Sequence, residues 1–180
     1  MINLESKAVK KGKMSHITLH QLTVAGMLSS ISIVLSTTFL GYIPLGIANA
    51  TTMHIPVIIG AILEGPVVGV FIGLIFGLTS FLRANTPLFA DPLVAILPRL
   101  LIGIVAYYTY KFTKSTALAA ITGTLTNTVG VLSLAVILKY LPSKVALLIA
   151  LKNGILEVIV AVILTSLIVK ALKRTYRFYK

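Results

Sequence analysis

The sequence predicts an all-α membrane protein: six transmembrane helices in a compact bundle, with both termini cytoplasmic. Three observations predict it. Hydrophobic residues make up 57% of the 180 and charged residues only 11%, whereas a soluble domain carries about 25% charged residues. The apolar residues fall in long runs separated by short polar breaks, the pattern of a polytopic helical protein. Finally, the basic residues gather at alternate breaks.

The runs read as Leu19–Ile43, Thr51–Glu64, Val67–Leu82, Pro92–Phe112, Ser115–Leu141 and Lys144–Ala171. They form one integral domain, 19–171, between a basic cytoplasmic segment, 1–18, and a basic cytoplasmic tail, 172–180. Lysines precede the first run and Ala48-Asn49-Ala50 resembles a cleavage site, but Leu19–Tyr42 exceeds the roughly 7–15 residues of a signal-peptide core, so a retained helix is expected. The second run is the odd one. Its apolar centre, Ile55–Leu63, makes about 14 Å of helix at about 1.5 Å per residue, well short of a hydrocarbon core about 30 Å thick. Polar residues bound it on both sides, and Glu64-Gly65-Pro66 turns it sharply into the third run.

With the N-terminus inside, the cytoplasmic segments hold eleven basic residues: Lys7, Lys10, Lys11, Lys13, Lys111, Lys114, Lys170, Lys173, Arg174, Arg177 and Lys180. The outer segments hold three, Arg83, Lys139 and Lys144. That bias sets the orientation, and explains the net charge of +12 without nucleic acid as a partner. Three connections then lie outside: 41–50, 83–91 and the turn at Pro142-Ser143. Arg83 and Asp91 flank the middle one and are placed to pair with each other.

Ala25, Ser29, Ser32 and Ser36 form one small-residue face on helix 1, suited to bundle packing or to a partner subunit. Gly69, Gly73 and Gly77 form a double Gly-x-x-x-Gly on helix 3, a packing face. Charged residues inside spans need a cavity or a partner. Arg99, Lys152, Asn153 and Glu157, with Asn127 in helix 5 and His54 opening helix 2, are expected towards the outer half. Either they line a polar, outward-opening cavity, or Glu157 pairs with Arg99 or Lys152 as a structural ion pair. Arginine and lysine together would suit a carboxylate-bearing solute.

Other chemistry is missing. Without cysteine there is no disulfide or thiolate site, and there is no phosphate loop, zinc-protease signature or nucleophile elbow. His16 and His20 read as interfacial residues, and Glu64 as a solvated turn residue. No catalytic residue, metal site or cofactor is expected.

The stretch HIPVIIGAILEGPVVGVFIGLIFGLTSFL, the pair Pro98-Arg99, and NGILEVIVAVI in helix 6 resemble the substrate-binding S components of energy-coupling factor (ECF) vitamin transporters. Among the subfamilies, they look most like those assigned to pantothenate. The resemblance implies a non-catalytic cell-membrane subunit that binds one vitamin near its outer surface. It also implies docking onto a transmembrane coupling protein that carries two ATPase subunits. The loop after helix 1, with Asn49, would be a lid, and Thr52 and His54 would face the cavity. Candidate substrate contacts are therefore Asn49, Thr52, His54, Arg99, Asn127, Lys152, Asn153 and Glu157. The family's helix 1 docking motif, Ala-x-x-x-Ala, is matched by Ala25 and Ser29, with serine replacing the second alanine. Folate, biotin and niacin are also anionic, so charge alone does not choose the vitamin. The rival reading is a self-sufficient ion-coupled transporter, against which stands the absence of an internal repeat or of broken helices at matching positions.

Overall fold

Six α-helices account for most of the described residues, 17–44, 49–84 and 86–176, of the computed structural model. They are α1 (Leu19–Thr37), α2 (Ile55–Glu64), α3 (Pro66–Leu82), α4 (Pro92–Thr113), α5 (Thr116–Ile137) and α6 (Ser143–Tyr176). Between α1 and α2 a short antiparallel hairpin pairs β1 (Tyr42–Pro44) with β2 (Asn49–Thr51), Tyr42 facing Thr51 and Pro44 facing Asn49. The chain marks most helix starts itself. Thr18 and Gln21 form a capping box at α1. Asp91 accepts the Leu93 N–H just before Pro92 opens α4, and Ser115 accepts the Leu118 N–H at α5. Gly65, at φ 103°, makes the reversal into Pro66, where a side chain would be strained.

Four boundaries differ by four residues or more from the sequence expectation, one of them the end of helix 5, which stops at Ile137, not Leu141. Helix 1 stops at Thr37, not Ile43. Thr38 bonds the Val34 carbonyl with both its N–H (3.0 Å) and its Oγ1 (2.7 Å), and Gly41 lies against the Leu35 carbonyl with no room for a Cβ. Helix 2 starts at Ile55, because residues 49–51 are the returning strand. Helix 6 continues to Tyr176, putting Lys173 and Arg174 in its last turn, where positive charge meets the helix dipole favourably.

Four helices, α1, α4, α5 and α6, are long and apolar enough to cross a membrane. The other two are shorter and do different work. α2 is about 15 Å long and every residue from Ile55 to Ile62 is buried. A helix apolar on all sides is a core element, and α2 touches all five other helices. α3 packs backbone to backbone on α4 through its glycines. A Cβ on Gly77 would sit 2.9 Å from the Ile96 Cα, and one on Gly73 would collide with the Arg99 carbonyl. In lipid this contact stabilises through van der Waals packing rather than release of water.

The small stripe on α1 also points inward. Ala25, Ser29 and Ser32 are buried, and Ser32 Oγ donates to the Met53 carbonyl at 3.1 Å. By contrast α6 presents Leu147, Leu151, Ile155, Ile159, Ile163 and Leu167 outward, a ridge at strict four-residue spacing. Such a face suits lipid and not water.

The connections expected outside meet at one end of the bundle, where Thr51, Arg83, Phe89 and Leu141 border a common space. There Tyr140 Oη donates to Asp91 at 3.3 Å, and Arg83 donates to the Ser36 carbonyl, so Arg83 and Asp91 serve separate partners. At the opposite end His20 bonds Glu64 at 3.2 Å and Gln21 donates to the Glu64 carbonyl at 3.1 Å. Glu64 is thus tied to α1 rather than merely solvated. His16 lies outside the described residues.

Candidate functional site

The space at the hairpin end is a cavity of about 320 Å³. Its first wall belongs to α3, α4 and the short turn Pro87–Ala90, and is built around Arg99. Arg99 follows Pro98, which has no N–H and so leaves the carbonyl four residues earlier without its helical partner. That carbonyl is Val94, and Arg99 itself fills the gap, donating from Nη1 at 2.7 Å. The guanidinium then lies over two aromatic faces, Phe89 at 4.9 Å and Phe76 at 5.3 Å, which attract a cation. Only 4% of Arg99 is exposed. The Val94 carbonyl and the two rings are among the contacts that orient the side chain on the cavity wall.

The second wall comes from α5, α6 and β2, and centres on Glu157. Its Oε1 accepts from Thr51 Oγ1 (2.7 Å) and from the Thr51 N–H (3.3 Å), and its Oε2 accepts from Thr128 Oγ1 (2.9 Å). Glu157 is held by hydroxyls and a backbone amide, so the ion-pair alternative does not describe it. Asn127 and Asn153 line the same side.

Four of the expected contacts, Arg99, Asn127, Asn153 and Glu157, therefore share one cavity. Others go elsewhere. Lys152, next to Asn153, is exposed on the outer surface of α6, because one residue rotates a helix by about 100°. Thr52 is buried and gives its hydroxyl to the Leu40 carbonyl at 3.2 Å, while its neighbour Thr51 reaches Glu157. His54 is fully buried at the start of α2 and bonds Thr124 at 2.9 Å, in the core and not on the cavity wall. The Asn49 side chain lies outside what the structure describes. Ala25 and Ser29 are interior, as described above.

A mostly apolar cavity with a few converging polar groups, set in an apolar bundle, is a shape suited to a small-molecule ligand. Residues 20–169 match the family of ECF transporter substrate-specific components. The chain belongs to that family. The S component is also 40% identical over 152 residues to the pantothenic acid transporter PanT of Lactococcus lactis subsp. cremoris, a match covering 69% of this chain and 78% of the relative.

Within the S component's cavity, several lining residues had escaped sequence reasoning. Phe76 and Phe89 read as ordinary apolar residues, and only their position either side of Arg99 gives them a role. Arg83, expected in a surface pair, lines the mouth, and Thr51, Thr79, Ser80 and Thr86 add hydroxyls. Thr128 carried a usable signal: it sits one residue beyond Asn127 in a run of alternating threonines, a density unusual for a lipid-facing span.

Proposed function

We propose that this S component binds pantothenate from outside the cell with high affinity. It then delivers the vitamin through a transmembrane coupling protein and two ATPase subunits, and carries out no catalysis itself. The observation that carries the reading is Arg99, a buried guanidinium on a cavity wall, suited to a carboxylate by charge and by its forked donors. The likeness to a pantothenic acid transporter supports the same solute. The cavity's size, about 320 Å³, falls within the range of small-molecule pockets. In this reading the cavity end of the bundle faces outward in the cell membrane, all six helices sit within the bilayer, and both termini are cytoplasmic.

Docking on the partner subunits then uses the outward face of α1 rather than the interior Ala25 and Ser29. Gly26 and Ser30, one position along from them, are exposed, and a Cβ on Gly26 would meet nothing within 4 Å. Gly26→Leu should leave pantothenate affinity unchanged and abolish ATP-driven uptake in proteoliposomes holding the full complex. Unchanged uptake would rule out this docking face.

The direct test of the substrate is mass spectrometry of small molecules released by denaturing protein purified from rich medium. Stoichiometric pantothenate is expected. A different bound vitamin would replace the substrate, and uptake by this chain alone under an ion gradient would overturn the S-component mechanism in favour of an ion-coupled carrier.

A further inference from the structure

The two walls of the cavity offer opposite hydrogen-bonding characters. On the α3–α4 side the charged groups are guanidiniums, Arg99 and, at the mouth, Arg83, both pure donors, beside the hydroxyls of Thr79, Ser80 and Thr86. The α6 side presents a carboxylate whose oxygens act as acceptors in every contact the structure gives them. A carboxylate has about four lone-pair directions. Thr51 takes two on Oε1 and Thr128 takes one on Oε2, which leaves one acceptor direction on Oε2. Beside it, Asn127 is 9% exposed and makes no hydrogen bond among the described residues, its Oδ1 fully covered. Rotating its amide costs no protein hydrogen bond, so Asn127 can turn either its donor or its acceptor to the cavity. Asn127 is thus a buried polar side chain on a ligand cavity whose partner is not protein, and buried polar groups without partners are costly.

From this arrangement we infer that Glu157 is the residue that selects the solute's hydroxylated end. Its remaining Oε2 lone pair accepts a ligand O–H while Asn127 meets the adjoining amide or hydroxyl. The inference rests on the pantothenate reading, and it fixes the vitamin's direction: carboxylate against Arg99, pantoyl hydroxyls against Glu157. It also predicts what the site refuses. A solute with apolar groups at that end leaves the Glu157 acceptor and the Asn127 amide without partners. A second carboxylate there meets Glu157 as a like charge. Sites built to bond a hydroxyl reject analogues lacking it far more strongly than apolar pockets reject a missing methylene.

The test uses two ligands and three proteins in calorimetric titration: pantothenate and its dideoxy analogue N-(3,3-dimethylbutanoyl)-β-alanine, with wild type, Glu157→Gln and Asn127→Ala. Glutamine keeps the Oε1 acceptor for Thr51, and alanine at 127 removes no protein hydrogen bond, so both variants retain the packing around the cavity. Wild type should prefer pantothenate by roughly ten-thousandfold, the scale of a site built to bond a hydroxyl. In Glu157→Gln that preference should shrink by about tenfold, through weaker pantothenate binding with dideoxy affinity little changed. Asn127→Ala should shrink it as well. Equal affinity of wild type for the two ligands, or equal losses for both in Glu157→Gln, would overturn the assignment of Glu157 while leaving pantothenate as the substrate. If wild type binds neither ligand, the substrate itself is wrong and the inference goes with it.

Discussion

The two walls of the cavity are built in opposite ways. The α3–α4 wall is joined backbone to backbone through glycines, so nothing can enter between its helices without moving them. The α5–α6 wall at the cavity is joined by side chains, with Thr128 on one helix and Glu157 on the other. There is slack there: a Cβ on Gly154 would find only Thr128 Cγ2, at an ordinary 3.7 Å. Rigid packing carries Arg99, and the looser wall carries Glu157 and Asn127; in the proposed binding mode the first meets the solute's charge and the second its hydroxyls and amide. Preorganisation is most valuable where a full charge is met, because a misplaced charge forfeits both geometry and desolvation.

The sharpest way to break this contrast is to crowd the first wall. Gly73→Leu puts a side chain where the Arg99 carbonyl lies, so it should abolish the folded, monodisperse protein in size-exclusion chromatography; overpacking already costs about 1–3 kcal/mol where side chains can yield, and backbone yields less. Removing the anchor comes next. Arg99→Ala should weaken pantothenate binding by about a hundredfold, the scale of one charge-assisted bidentate contact; calorimetry that finds unchanged affinity would remove the carboxylate assignment. Loosening the second wall is milder. Thr128→Val takes one donor from Glu157 and should lower thermal stability by about 1 kcal/mol, the net worth of one hydrogen bond, with a several-fold loss of affinity. The smallest effect belongs to Gly154→Ala. Alanine is the better helix former by about 1 kcal/mol and meets only ordinary contact, so the melting temperature should hold or rise slightly. A large destabilisation there would mean that the two walls are equally tight.

Most of the frame was legible in the sequence, for reasons that are local. Pro66 and Pro92 at helix starts, Ser115 as a cap and the double Gly-x-x-x-Gly each act through neighbouring backbone, and α3, α4 and α5 begin at or within one residue of the positions expected. The brevity of helix 2 was legible too, although its meaning, burial on every side, needed the other five helices. What escaped was rotational. Arg99, Asn127, Asn153 and Glu157 reach the cavity, but Lys152 turns outward and Thr51 replaces Thr52, because a shift of one residue changes the face of a helix or a strand. The β1–β2 hairpin straddled the end of the first run, the expected outer connection and the first residue of the second run, since hydrophobicity does not distinguish a helix end from a short strand. The aromatic pair around Arg99 comes from α3 and from the turn before α4, a meeting that only tertiary structure creates.

Pro98 and Arg99 have a consequence for how this sequence can change. Each supplies what the other makes necessary: the proline frees the Val94 carbonyl, and the arginine fills it. Losing the arginine alone leaves that carbonyl buried without its donor. Losing the proline alone returns a backbone N–H that competes with the guanidinium for the same oxygen. The two positions should therefore show strong epistasis, with the double variant Pro98→Ala/Arg99→Ala more stable than Arg99→Ala alone, contrary to the additivity expected of independent sites. The two positions thus act as one structural unit, the side chain repairing the gap that its neighbour's ring opens in the helix.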